Sequence, residues 1–394
     1  MSDILALKLK PHEERRLRAG HLWVYSNEIE TGPEFKAIAP GTLCRVLDSR
    51  GKALGLGYVN PKTLLAVRLL SSNAQATIDA DWLARRIASA LVLRERVYTE
   101  PCYRLVHGES DGLPGLVVDR YGDYLAVQLT TAGMEQLKAP VLEALQAVLK
   151  PRGIVLRNDS SAREIEGLPS YVESHGEVPE TVEIREEGVR YAIALQGGQK
   201  TGFFYDQRDN RSRLQRYVAG RSVLDVFSYV GAWALRAAKY GASSVTCLDS
   251  SQPALDAALH NAALNGVNLE AIRDDALAGL KALRAAGRSF DVVVVDPPAL
   301  IKRKKDAEAG QEHYAALNRA ALHLLAPEGL LVSCSCSHHL EAEQLQRLLL
   351  RESRQTGRRL QILEQGAQGP DHPVHPAIPE TRYLKAWYCR VVQG

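Results

Sequence analysis

The stretch Phe290-Asp-Val-Val-Val-Val-Asp-Pro-Pro-Ala-Leu300 constrains this chain more than any other. The run Val292 to Val295 is β-branched throughout, which suits a strand covered on both faces of a parallel sheet. Asp296 stands where that strand reaches its carboxyl end. Pro297 and Pro298 then withhold two backbone N–H donors and stiffen the turn. Open α/β sheets bind ligands beyond the carboxyl ends of their strands. An acid placed there and braced by prolines therefore has the form of a positioned functional group. Taken alone, the segment is more simply a rigid turn carrying a solvated Asp; the segments around it reverse that preference.

From about residue 186 onward, strand and helix patterns alternate, as in a doubly wound sheet. Arg221–Phe227, Ser244–Asp249, Leu269–Arg273, Phe290–Val295 and Leu330–Ser333 are the expected strands, with 360–363 and 384–391 as the last two. Helices are expected after the turn Ser228–Gly231, from Pro253 to Asn265, from Tyr314 to Leu325 and from Glu341 to Gln355. Asp249 closes the second strand, 24 residues after Asp225, the place where an acid binds ribose hydroxyls in dinucleotide folds. The turn before it, Asp225-Val-Phe-Ser-Tyr-Val-Gly231, keeps one glycine, Gly231, so close approach to a pyrophosphate is not provided for. A nucleoside without phosphates fits better, which points to S-adenosylmethionine. In that arrangement Asp249 takes the ribose, Asp275 the adenine amino group, and Asp296 the methionine and sulfonium end. Asp249 alone also suits a helix N-cap.

At 394 residues the chain is too long for one ordinary core. No apolar run is long enough to span a bilayer, and the start, Met1-Ser-Asp-Ile-Leu, lacks the form of a signal peptide. Six cysteines over this length are too sparse for a disulfide framework, so a reducing cytoplasm is expected. The net charge of +3 permits a nucleic-acid partner without requiring one. Residues 1–72 carry strand and turn signals, a short basic helix with Arg15, Arg16 and Arg18, and glycines at 55 and 57 suited to close backbone approach. Residues 73–185 mix two helices, about 81–98 and 134–149, with strands. Their loop His107-Gly-Glu-Ser-Asp111 is more simply a hairpin loop than a metal or catalytic site.

The segments Gln199-Lys-Thr-Gly-Phe-Phe-Tyr-Asp-Gln-Arg208, Asp225–Gly231, Asp296-Pro-Pro298 and Ser335-Cys-Ser337 resemble those of the ribosomal RNA large-subunit methyltransferase I family, which makes 5-methylcytosine in 23S rRNA. The likeness covers essentially the whole chain. It implies a PUA-like RNA-binding barrel over 1–72, an α+β middle domain over 73–185 and a Rossmann-like methyltransferase domain over 186–394. It implies S-adenosylmethionine as cofactor, held by Phe203, Phe204, Asp206, Arg208, Asp225, Phe227, Gly231, Asp249, Ser250, Asp275, Ala276 and Asp296. It also implies Cys336 as nucleophile. The partner implied is 23S rRNA or a partly assembled large subunit, with no membrane and with an exposed barrel edge available for a homodimer. One departure stands out: Pro298 occupies the place where related cytosine-5 enzymes carry a second cysteine.

Carbon 5 of cytosine is too weak a nucleophile to take a methyl group directly. A thiolate added to carbon 6 makes it an enamine carbon. Cys336 suits that step, and Asp296 suits the acid partner at cytosine N3. Cys334, two residues away, competes on geometry, and the family likeness is what favours Cys336. A zinc site on Cys334, Cys336, His338 and His339 would need a second ligand cluster, and none is visible. Lys302, Arg303, Lys304 and Lys305 follow Asp-Pro-Pro closely enough to meet phosphates beside a target base. Two other activities stay open. Asp-Pro-Pro also suits methylation of an adenine or guanine amino group, although Ala299 stands where such sites place a stacking aromatic residue. A non-catalytic RNA-binding assembly factor would need no thiol.

Overall fold

The computed structural model describes residues 4–197 and 202–392. Gln199, Lys200 and Thr201 of the first motif lie outside those residues, as do Met1, Ser2 and Asp3. The chain divides into two compact units.

The first unit comprises residues 1–182, 194–205 and 370–381. Its β1 (Leu5–Lys8), β2 (Trp23–Tyr25), β3 (Thr42–Leu47), β4 (Ala53–Val59) and β5 (Leu65–Ser71) pair in the order β1-β3-β4-β5-β2. Alternation along the strands sends Cys44, Val46 and Val67 into one apolar cluster with Leu9 and Ile29. Gly57 is required where β4 meets β5, because a Cβ there would stand 2.3 Å from the carbonyl oxygen of Arg68.

A second sheet holds β6 (Cys102–His107), β7 (Leu116–Tyr121), β8 (Tyr124–Leu129), β9 (Gly153–Asn158) and β10 (Tyr171–Gly176), ordered β10-β9-β8-β7-β6. The helix Ala80–Val97 starts where Asp79 accepts a hydrogen bond from the Trp82 N–H at 2.8 Å. The single helix expected from Met134 to Leu149 is two, Ala132–Gln136 and Lys138–Leu149. Pro140, which has no N–H to give, sits in the first turn of the second, where a helix can restart. Leu56, Tyr58 and Leu70 of the first sheet share an apolar cluster with Leu83, Ile87, Val118 and Val127. Tyr58 Oη donates to the Pro114 carbonyl at 2.8 Å.

The hairpin β11 (Thr181–Glu186) and β12 (Val189–Ala194) leads into the second unit, which comprises residues 183–193, 206–369 and 382–394. There β13 (Ser222–Val226), β14 (Ser244–Asp249), β15 (Glu270–Arg273), β16 (Phe290–Val295), β17 (Leu325–Ser335), β18 (Arg359–Gly366) and β19 (Lys385–Val392) form one sheet. Its order is β15-β14-β13-β16-β17-β19-β18, and only the β19 pairings are antiparallel. This is the expected doubly wound α/β sheet. The strand order reverses between β13 and β16, so the crevice of such a fold opens beyond their carboxyl ends. β16 is buried on both faces: Val293 and Val295 pack into one apolar cluster, Val292 and Val294 into another. The helix expected over Tyr314–Leu325 begins earlier, at Ala307, on a polar stretch that carries no apolar stripe. Among the described residues no helix is long and apolar enough to cross a membrane.

Candidate active site

The turn after β13 is strained. Phe227 and Tyr229, neither of them glycine, have φ of 66° and 49°, and Gly231 follows at 79°. L side chains rarely adopt that region, and such strain concentrates at functional turns. Asp249 holds the turn in place. Its Oδ2 accepts from the Tyr229 N–H and its Oδ1 from the Ser251 N–H, each at 2.9 Å. The N-cap of helix Gln252–Asn265 is Ser251, so Asp249 is not spent on capping. Ser250 beside it gives its carbonyl to Arg273 Nε at 3.4 Å. Asp275, expected at an adenine amino group, is exposed. Its Oδ1 caps helix Ala276–Ala285 by accepting from the N–H groups of Leu277 and Ala278 at 3.0 and 3.2 Å. Ala276, the first residue of that helix, is buried.

Asp225 is fully buried. Its Oδ2 accepts from the Ala234 N–H at 3.0 Å, while its Oδ1 has no partner. Burial, reinforced by the nearby charges of Asp296 and Asp249, pushes its carboxyl up to about 8.

Asp296 is boxed by two donors that the sequence did not reveal. Gln207 Nε2 donates to Oδ1 at 2.8 Å and Trp233 Nε1 to Oδ2 at 2.9 Å. Gln207 is oriented in turn by Asn210, whose Nδ2 donates to Gln207 Oε1 at 2.7 Å. Burial raises the Asp296 carboxyl to about 6 against the pull of those two hydrogen bonds, and the Asp206 carboxylate adds to the rise. Asp206 accepts from Tyr383 Oη on Oδ2 at 2.7 Å, and its own Oδ1 is buried without a partner. Arg208 turns to Glu186: its Nε donates to Glu186 Oε2 at 3.2 Å, alongside Arg211, whose Nε and Nη2 donate at 2.8 and 2.7 Å. Burial works to raise Glu186, but these guanidinium groups overcome it and hold the carboxylate low. Phe203 and Phe204 belong to the first unit, where the Phe203 ring meets Tyr205 edge-on at 5.3 Å.

Cys336 follows directly on β17. The register Val295↔Ser333 runs β16 and β17 side by side, which brings the two outgoing loops together. Cys336 Sγ lies 3.9 Å from the Pro297 carbonyl oxygen, one residue beyond Asp296. The residues on either side are clamped. Ser335 Oγ lies 3.0 Å and Ser337 Oγ 2.9 Å from Tyr314 Oη, Ser337 Oγ also accepts from the Ile301 N–H, and Lys385 Nζ donates to the Ser337 carbonyl at 2.6 Å. Cys336 is partly exposed, whereas Cys44, Cys102, Cys247, Cys334 and Cys389 are all buried. Burial drives the Cys334 thiol well above its ordinary range, which leaves it a poor competitor as a nucleophile.

Among the described residues no group of three or more His, Cys, Asp and Glu is placed to hold a metal ion. The loop at 108–111 is structural: Asp111 takes both Arg94 Nη1 and Nη2 at 2.7 Å, and Glu109 takes Trp23 Nε1 at 3.0 Å. Lys302, Arg303, Lys304 and Lys305 are exposed, with Arg303 paired to Asp306 at 2.8 Å. Arg16 and Arg18 pair with Glu28 and Asp48 at 2.5 and 2.7 Å, and Arg15 is exposed.

Residues 7–72 match the family described as PUA-like domain, and residues 128–388 match the family described as S-adenosylmethionine-dependent methyltransferase. The ribosomal RNA large subunit methyltransferase I of Shewanella frigidimarina is 37% identical over 98% of this chain and 99% of that one. The protein of that name from Klebsiella pneumoniae (strain 342) is 36% identical over the whole of both. The chain belongs to the ribosomal RNA large subunit methyltransferase I family. Among solved structures, a SAM-dependent methyltransferase from Streptococcus mutans superposes with a TM-score of 0.84 at 21% identity, covering 98% of this chain and all of that one. A methyltransferase complexed with SAH also gives 0.84, and Trm5b from Pyrococcus abyssi gives 0.52 at 16% identity over 70% of this chain and 74% of that one. At these identities the likeness is one of fold. This family member is a SAM-dependent methyltransferase, and its site chemistry fits the cofactor. Asp206 Oδ1 and Asp225 Oδ1 are buried without partners, and the strained turn has no phosphate-binding glycine pair. Such a site suits a polar ligand without phosphates.

Proposed function

We propose that this protein methylates carbon 5 of a cytosine in large-subunit ribosomal RNA through a covalent bond between Cys336 and cytosine carbon 6. The observation that carries this reading is the placement of Cys336: partly exposed, clamped on both sides, and 3.9 Å from the carbonyl that follows Asp296. S-adenosylmethionine, when bound, supplies an electrophilic methyl group on a sulfonium. Asp206, Asp225, Asp249 and the turn to Gly231 would hold it, with Phe227, Ser250, Asp275 and Ala276 as further wall. The Cys336 thiolate adds to carbon 6, so that carbon 5 becomes nucleophilic. The Asp296 carboxyl hydrogen-bonds cytosine N3 and offsets the charge that gathers on the ring. After methylation solvent water takes the carbon 5 proton, the electrons of that C–H bond re-form the carbon 5–carbon 6 double bond, the carbon 6–sulfur bond breaks and the thiolate is regenerated. Residues 1–72, with Arg15 and the basic run Lys302–Lys305, would contact RNA phosphates.

The test is methyl incorporation into large-subunit RNA by the full chain and by Cys336→Ser. Loss of turnover in the variant, together with a protein–RNA adduct formed by the parent on 5-fluorocytosine RNA, is the expected result. Full turnover by Cys336→Ser would refute the covalent route and favour methylation of an amino group.

A further inference from the structure

Tyr314 carries a hydroxyl into an apolar core. It sits inside helix Ala307–Leu324, is 0% exposed, and shares an apolar cluster with Val293, Val295 and Leu331. A phenylalanine would fill the same space, and a hydroxyl taken out of water costs free energy unless it is hydrogen-bonded. The Tyr314 hydroxyl is bonded to the two residues that flank Cys336. Ser335 Oγ donates to Tyr314 Oη at 3.0 Å, and Ser337 Oγ lies 2.9 Å from the same oxygen. The Ser337 N–H donates to Ser335 Oγ at 3.2 Å, which closes a ring of hydrogen bonds. Ser337 Oγ also accepts from the Ile301 N–H at 3.1 Å, and Ile301 lies in the loop that begins at Asp296. Both serines are 0% exposed. Two side chains that reach one hydroxyl leave the residue between them on the other side of an extended backbone. That residue is Cys336, whose Sγ faces the Pro297 carbonyl oxygen at 3.9 Å.

We propose that Tyr314 is a positioning residue for methyl transfer: its hydroxyl locks the serines on either side of Cys336 and ties them to the loop that carries Asp296, so that the two groups acting on one pyrimidine ring keep a fixed spacing. Tyr314 acts through the residues beside the thiol and not on the thiol itself. Burial raises its phenol above the ordinary value, so the hydroxyl keeps its proton and serves as a clamp, not as a base. Lys385 Nζ, donating to the Ser337 carbonyl at 2.6 Å, holds the same residue from its main-chain side. A polar network satisfied in this way rigidifies the segment it joins. The inference rests on the cytosine reading and adds to it what keeps nucleophile and acid in register.

The test compares the full chain with Tyr314→Phe, which keeps the ring in the core and removes the hydroxyl. Methyl incorporation into large-subunit RNA should show kcat reduced by about 10–100-fold, the order of loss that a displacement of about 1 Å at a reacting group produces. KM for S-adenosylmethionine, and SAH affinity by calorimetry, should not change. Adduct formation on 5-fluorocytosine RNA should slow by the same factor as kcat. Ser337→Ala opens the ring at its other end and should give the same split, which decides the case if Tyr314→Phe does not fold. In the parent, hydrogen exchange should find the Ile301 and Ser337 amides protected; free exchange at both overturns the proposal without any variant. Parent-level kcat in a folded Tyr314→Phe chain overturns it too, as does a loss of kcat matched by weaker SAH binding, which marks general damage to the sheet. The two readings fail differently. Full turnover by Cys336→Ser removes the cytosine reading and this inference with it, whereas parent-level turnover by Tyr314→Phe beside an inactive Cys336→Ser removes this inference alone.

Discussion

Replacing Gln207 by Leu isolates one of the two bonds that hold Asp296. The side chain keeps its bulk, and Oδ1 loses the Nε2 donor now 2.8 Å away while Trp233 Nε1 stays on Oδ2. A hydrogen bond to a charged group contributes about 1.5–3 kcal/mol, and one pKa unit corresponds to about 1.4 kcal/mol, so the carboxyl should rise by about one to two units. Starting from about 6, it moves into the neutral range. The Trp233 indole N–H reports on this directly, because its acceptor is the titrating group. Its 15N–1H resonance, assigned by comparison with Trp233→Phe, should titrate near pH 6 in the parent and about one to two units higher in Gln207→Leu. Stability carries the same sign. The folded state binds this proton more tightly than the unfolded chain, so stability is greatest below the unfolded value of 3.8 and declines as pH rises through the folded one. In the variant that decline should continue to higher pH. A midpoint that stays put or falls on losing Gln207 would mean that burial alone sets the Asp296 carboxyl and that the box of donors is incidental.

Three further outcomes follow from the same geometry. Glu186→Ala leaves Arg208 and Arg211 buried without their carboxylate, so the unfolding transition of the second unit should lose about 3–5 kcal/mol in urea titrations, with little response to added salt. Gly231→Ala forces a side chain into φ 79° with its Cβ 3.0 Å from the Ala258 Cβ; calorimetry should show weaker SAH binding, and the melting temperature should fall by an amount equivalent to about 1–2 kcal/mol. Cys334→Ala removes a thiol only 1% exposed, so methyl incorporation should persist at a rate within a few-fold of the parent, unlike that of Cys336→Ser.

The strands of the second unit were legible because apolar periodicity is a local property. The valine run of β16 and the acids Asp249, Asp275 and Asp296 at or just past the ends of β14, β15 and β16 all appear in order along the chain. β10 was not legible, because it is an edge strand whose residues alternate between exposed and half-buried and carry polar side chains. Helix Lys138–Leu149 is legible from its apolar spacing, whereas its break from Ala132–Gln136 is not, because a proline in a first turn is as compatible with a continuing pattern as with a restart. Site residues divided in the same way. Asp296 and Cys336 announced themselves by motif, whereas Gln207, Trp233, Tyr314 and Lys385 are ordinary residues until the fold brings them in. Trp233 is 63 positions from Asp296, and Lys385 is 48 positions from the carbonyl it binds.

The sequence alone determined the alternation of strands and helices, the acids at strand ends and the thiol just past a strand, since each depends on residues next to one another in the chain. Only the tertiary structure decided which cysteine is accessible, which acid has its charge suppressed, which arginine is spent on an internal carboxylate and which lysine holds the carbonyl after the thiol. Those outcomes depend on solvent exclusion and on the distances between groups far apart in sequence, and local pattern carries neither.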